Sequence, residues 1–99
     1  MQIIEQLPKQ YQTNITRAVE ILKQGGCTEI FLFGSLASGN FNQWSDIDLA
    51  IRGCPPGNFF HLLGQLIFRL DYPVDLIDLD SSDPFARFLV QKGKLQQIV

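Results

Sequence analysis

Basic residues are scarce in this chain and unevenly placed. Eight Lys and Arg stand against ten Asp and Glu, giving a net charge of -2 and a pI near 5.1. No Lys or Arg occurs between Lys23 and Arg52. Domains that grip nucleic acid by its phosphates usually carry a basic face, so the balance argues against direct nucleic-acid binding. No apolar run approaches the roughly 18 residues needed to cross a bilayer, and the N-terminus lacks the charged-then-apolar layout of a signal peptide. A cytoplasmic protein with no membrane partner is the expectation. The two cysteines, Cys27 and Cys54, are far apart and lack metal-ligand spacing. They are expected to be reduced, mostly buried small side chains. The single histidine, His61, lies among Phe59, Phe60, Leu62 and Leu63, where it reads as a helix-surface residue rather than a ligand. Without a second His, or a thiol in a charged setting, a nucleophilic triad is disfavoured. Neither the P-loop pattern nor Gly-x-Gly-x-x-Gly is present.

What is present fits one domain spanning residues 1–99, long enough for a single core. Hydrophobic residues make up 45% and charged residues 18%, ordinary for a water-soluble globule. Leu7, Tyr11, Ile15, Val19 and Leu22 recur at helical steps and predict an amphipathic helix over 8–24, ended by Gly25-Gly26. Residues 29–33 are a compact apolar strand bounded by Gly34, and 35–38 open a short helix broken by Gly39-Asn40. A second strand covers 47–52. Asn58 is expected to cap a helix whose apolar stripe is Phe59, Leu62, Leu63, Leu66, Ile67 and Leu70. A third strand covers 73–79. Asp83-Pro84 marks the start of a last helix and Gly93 its stop, leaving a tail at 95–99 that could pair with a sheet edge. The order α-β-α-β-α-β-α implies an α/β domain, a small sheet with helices packed on it.

Two stretches carry chemistry. Gly34-Ser35 ends a strand and opens a helix, which points backbone N–H groups outward and lets a phosphate approach closely. Ten residues later comes Asp46-Ile47-Asp48, at the mouth of the second strand. Residues i and i+2 of a strand share a face about 6–7 Å apart, and two carboxylates so close raise each other's pKa unless a cation joins them. Mg²⁺ suits such oxygens, taking one or two carboxylates and completing its shell with water and phosphate. A third carboxylate is expected from 73–79, where Asp75, inside the apolar run, is preferred to Asp78 because burying an unpaired acid is costly. Asp78, Asp80 and Asp83 read instead as strand-end, turn and cap residues. Trp44, Phe41, Phe59 and Phe60 are more aromatics than a small core obviously needs, and are candidates for a partner surface.

Phe-Gly-Ser-Leu-Ala-Ser-Gly (33–39) followed by Ser-Asp-Ile-Asp-Leu-Ala-Ile (45–51), with the later strand acid Asp75, resembles the signature of the minimal nucleotidyltransferases of the DNA polymerase β-like superfamily. The resemblance covers nearly the whole chain in length and element order. It implies a polymerase β palm-like fold on a small mixed sheet, and two-metal nucleotidyl transfer from ATP. By it, Asp46, Asp48 and Asp75 are catalytic and hold two Mg²⁺ ions, and Gly34 and Ser35 cradle the β/γ phosphates. It also implies a small helical HEPN partner, with this chain acting as antitoxin and moving AMP onto a partner hydroxyl, in a homo- or hetero-oligomer. Two other outcomes are compatible with the family: a silent binding module that occludes a helical toxin, and the catalytic subunit of a small-molecule adenylyltransferase. The chain departs from the usual pattern at Ser38, where Gly-Ser-x-Ala-Arg-Gly would place a basic residue. Arg52 is the nearest downstream cation in sequence.

Overall fold

The computed structural model describes residues 2–99, with side chains from Ile4 onward. The elements run α1 (Gln2–Glu5), α2 (Lys9–Gln24), β1 (Glu29–Phe33), α3 (Gly34–Ser38), β2 (Ile47–Arg52), α4 (Phe59–Arg69), β3 (Val74–Asp78), α5 (Pro84–Lys92) and β4 (Gln96–Gln97). The expected order is therefore present, extended by α1 and by a fourth strand built from the tail. The sheet is mixed, in the order β3-β2-β1-β4. β1 is antiparallel to β2 and to β4, while β2 and β3 run parallel across the α4 connection. This is the expected α/β class.

Alternation along the strands divides the apolar residues between two layers. Ile30 and Leu32 of β1, with Ile47, Leu49 and Ile51 of β2, face α2 and α4 and join the main core with Tyr11, Ile15, Leu22, Leu62 and Leu66. Phe31, Phe33 and Ala50 point to the other side, where Ala86 and Leu89 of α5 cover them. β1 reads as a continuous apolar run because helices lie on both of its faces.

Several local expectations are corrected. Helix α2 ends with Gly25 still right-handed and Gly26 at φ 95°, so the left-handed stop is the second glycine. Asn58 does not cap α4 with its side chain, which donates instead to the Gly25 carbonyl at 3.1 Å and ties α4 to the end of α2. Asp83 does cap α5, accepting from the Phe85 N–H at 2.9 Å, with Pro84 in the first turn. Of the α4 stripe, Leu62, Leu66 and Leu70 are buried, whereas Ile67 is exposed, because it lies one residue off the i, i+4, i+8 row that meets the narrow sheet.

The cysteines are the largest correction. Cys27 and Cys54 are joined in a disulfide rather than reduced. The reason lies in the register. Glu29 pairs with Arg52, and continuing that antiparallel alignment two residues outward sets position 27 opposite 54. Thr28 N–H donating to the Arg52 carbonyl at 3.1 Å extends the pairing toward them.

Candidate functional site

The mouth of the sheet is where β1 ends and where β2 and β3 begin. In register, Phe33 lies beside Asp48 and Asp48 beside Asp75. Asp48 and Asp75 therefore project from neighbouring strands onto the same face, the side covered farther along by α5. Asp48 is half-buried and Asp75 exposed. Burial, then the charges of Asp75 and Asp46, then a hydrogen bond with the Asp75 side chain raise the Asp48 carboxyl to about 6. A carboxyl raised in this way by burial and like charges marks a candidate functional site.

Asp46 stands two residues upstream, exposed, at the end of a loop that several bonds hold still. The Asn42 side chain accepts from the Trp44 N–H at 2.7 Å, and Ser45 Oγ accepts from the Asn42 N–H at 2.9 Å. From the core, the Tyr11 hydroxyl donates to the Ser45 carbonyl at 2.7 Å, while its ring stacks on Tyr72 at 4.2 Å between centroids. Burial, with Tyr72 and Asp46 nearby, pushes the Tyr11 hydroxyl above its usual range, so it stays a donor at neutral pH. Tyr11 thus positions the segment carrying Asp46. The helical periodicity marked it only as a core residue; its polar tip on an apolar face was the signal.

Asn14 is a second such residue. It is fully buried, accepts from the Asp71 N–H at 2.7 Å and donates to the Asp71 carboxylate at 3.1 Å, which fixes the turn leading into β3 and Asp75. A lone Asn on the buried stripe of α2 was its trace in the sequence.

Gly34 closes the site on the β1 side. Its φ is 72°, and a Cβ there would run into the Asp48 carboxylate. Glycine is required on both counts. Ser35 follows as the second residue of α3, half-buried, with Leu36 anchoring the helix in the core. Ser38 is exposed and its hydroxyl donates to the Ser35 carbonyl at 3.3 Å, which leaves no cation on this helix.

Asp78 lies elsewhere. It pairs in register with Ile51 at the opposite end of β3, where its side chain accepts from the Asp80 N–H. Arg52 is at that far end too, beside Glu29 and Asp80, and so is not a cation for the mouth. His61 is exposed on α4. Phe41 and Phe59 pack partly into the core, while Trp44 and Phe60 are exposed. A groove of about 640 Å³ runs along the outer side of α4 between Phe60 and Arg69, on the side of the sheet away from the carboxylates.

The donor set suits a hard cation: carboxylate oxygens, with no thiolate and no imidazole. Two carboxylates meet, and Asp46 stands at their edge. Among the described residues, no three Asp, Glu, His or Cys side chains come together as a group that could hold a metal ion, so the expected trio of Asp46, Asp48 and Asp75 does not close into one.

The mixed sheet thus carries two neighbouring carboxylates at its mouth, beside the left-handed Gly34 turn. The chain belongs to the family described as Polymerase beta, Nucleotidyltransferase, whose pattern it matches over residues 14–96. Among solved structures it is similar to a chain of a toxin–antitoxin complex with AMP-PNP, at 28% identity and a TM-score of 0.62, over 89% of this chain and 72% of that one. A mutant MntA–HpeT toxin–antitoxin complex gives 30% identity and a TM-score of 0.63, over 86% and 71%. A complex of tri-AMPylated Shewanella oneidensis HEPN toxin with MNT antitoxin gives 28% and 0.59, over 85% and 69%. No curated protein matches the chain. Among the described residues, no helix is long and apolar enough to cross a membrane.

Proposed function

We propose that this chain is a Mg²⁺-dependent nucleotidyltransferase that moves AMP from ATP onto a hydroxyl of a helical HEPN-type partner, acting as that partner's antitoxin. The observation that carries the proposal is the side-by-side placement of Asp48 and Asp75, with Asp48 raised to about 6, next to the Gly34 turn. Asp46, Asp48 and Asp75 would hold Mg²⁺, which neutralises triphosphate charge and makes a nearby hydroxyl more acidic. The partner's oxygen bonds to the α-phosphorus, the bond to the bridging oxygen of the β-phosphate breaks, pyrophosphate leaves, and the hydroxyl proton passes to solvent. Gly34, having no Cβ, keeps the turn open to the phosphates, and Ser35 can donate to them. Tyr11 and Asn14 hold the two segments that carry the acids. The relatives' complexes, one with AMP-PNP and one with an AMPylated toxin, support the donor and the acceptor class.

Ser38 favours a second reading. Neither α3 nor the loop after it offers Lys or Arg to the triphosphate, and Arg52 is committed elsewhere. The same fold could neutralise a helical toxin by covering it, without transfer. Incubation with labelled ATP, Mg²⁺ and a helical HEPN-type protein separates the two. Label on that protein, lost in Asp48→Asn, is the expected result. A tight complex without label, unchanged by the substitution, would establish the silent antitoxin.

A further inference from the structure

Among the described residues, two helices leave clusters of large apolar side chains uncovered. One is the outer face of α4, with Phe60, Ile67 and Phe68; the other is the flank of α5 with Phe85 and Phe88. They lie on opposite sides of the sheet, because Leu62 and Leu66 of α4 pack in one core and Ala86 and Leu89 of α5 in the other. Asp48 and Asp75 are on the α5 side. An acceptor hydroxyl delivered to those carboxylates therefore comes with its protein lying over α5, whereas a protein seated on α4 would have the whole sheet in between.

The α5 surface is also continuous with the site. Phe33 is the register neighbour of Asp48. The Phe85 ring meets Phe33 edge-on at 6.2 Å, and Phe88 stacks on Phe85 at 6.2 Å with planes 17° apart. The aromatic run thus starts beside the carboxylates and leads outward along the helix, with Phe85 and Phe88 each about half exposed, at 45% and 52%. Its charge is of one sign. From Pro84 to Lys92 the helix contains Arg87 and Lys92 and no acid, and Arg87, Phe88, Gln91 and Lys92 line a shallow groove.

We infer that the α5 face, with Phe85 and Phe88 as anchors and Arg87 and Lys92 as flanking cations, is the docking ledge for the acceptor protein. This rests on the transfer reading above. The occupant it fits is a helix with an apolar ridge bordered by acidic residues, laid against α5 so that a hydroxyl side chain near its end reaches Asp48 and Asp75. Half-exposed aromatics bordered by cations are the residue types that dominate such interfaces, and the opposed charges would set orientation and association rate.

The test uses the full chain, a helical HEPN-type protein, and three variants. Phe88→Glu should weaken the complex at least tenfold by calorimetry, raise the KM for the acceptor protein in the labelling reaction, and leave the Mg²⁺-ATP rise in Tm unchanged. Arg87→Glu, at an exposed position where folding is not in question, should weaken it less and reduce its salt dependence. Phe68→Glu, on α4, should change neither binding nor labelling. Unaltered affinity in both α5 variants, or a loss confined to Phe68→Glu, would overturn the ledge, as would a wild-type chain that binds no such protein. Loss of the Mg²⁺-ATP response in Phe88→Glu would also overturn it and make the aromatics a platform for the nucleobase. If the wild type transfers no label but Phe88→Glu still dissociates the complex, the ledge stands and the transfer reading falls.

Discussion

The two ends of the sheet are built on opposite principles. At the far end everything is matched. A disulfide joins the segments leading into β1 and out of β2, Arg52 sits between Glu29 and Asp80 and over the Phe31 ring, and the Asp80 carboxylate accepts from the Gly53 N–H at 2.7 Å. At the mouth, by contrast, Asp48 faces the like charges of Asp75 and Asp46. The comparison suggests that one end holds the strands in register so that the other can tolerate unfavourable electrostatics. Strain of this kind persists only where the surroundings over-determine it.

Four sets of measurements would break or sharpen this contrast. The largest effect should come from the fastened end. Cys54→Ser, or reduction, releases a cross-link between residues 27 apart in sequence. Chain-entropy reasoning gives a loss of about 3–4 kcal/mol, and a domain this size should melt about 12 °C or more lower. The Mg²⁺-ATP response should survive, because the cysteines lie away from the acids; its loss in a still-folded variant would show that the two ends are not separable.

Next in size is the mouth's own ligand effect. Mg²⁺-ATP at 100 times its Kd should add about 2.7 kcal/mol, a rise of roughly 10 °C in Tm. Metal-free ATP should give much less, and Asp75→Asn should abolish the difference. An equal rise with and without Mg²⁺ would remove the cation from the site.

Gly34→Ala should cost about 1–2 kcal/mol from the left-handed backbone alone, with a further loss from contact with Asp48. Chemical denaturation should show it. Gly53, at φ 74° on the far end, meets the Thr28 hydroxyl in the same way, so Gly53→Ala should lower stability comparably but leave nucleotide binding intact.

The smallest effect is a stabilisation. A carboxyl raised to about 6 in the fold, against about 3.9 unfolded, binds its proton more tightly when folded. Metal-free stability should therefore fall as pH rises from about 4 to 6 and stay lower above that. Asp48→Asn should flatten this slope and gain on the order of 1 kcal/mol at pH 7, a figure reduced for solvent screening at a half-open site. Saturating Mg²⁺ should reverse the preference, making wild type the more stable. A clear drop in the metal-free Tm of Asp48→Asn would mean that Asp48 serves the fold rather than a ligand.

Much of the architecture was legible because local signals agreed with one another. The α2 periodicity, the Asp83-Pro84 cap and the glycine-bounded strands each use short-range physics that neighbours in the chain can report. Asp48 was readable from its i, i+2 spacing with Asp46 at a strand mouth, Asp75 as an acid inside an apolar run, and Gly34 as the turn before a helix. The residues that went unread act through partners distant in sequence. Tyr11 acts on Ser45 and Asn14 on Asp71, and within helical periodicity both pass as ordinary members of a buried face. The α4 stripe misled for a related reason. Periodicity reports how wide an apolar face is, but not how much of it a narrow sheet can cover, and Ile67 was left outside.

The sequence by itself determined most of the elements, their α/β order and the positions of the strand acids and the glycine turn, because helix periods, turn glycines and carboxylate spacing are properties of short stretches. Register was decided only by the tertiary structure. The antiparallel alignment of β1 with β2 turned two distant cysteines into a disulfide, and the parallel alignment of β2 with β3 chose Asp75, not Asp78, as the neighbour of Asp48. A one-residue shift in either alignment would turn those side chains to the opposite face. What holds the alignment is the burial of Ile30, Leu32, Leu49 and Leu76 together, a condition met only when the whole chain is folded.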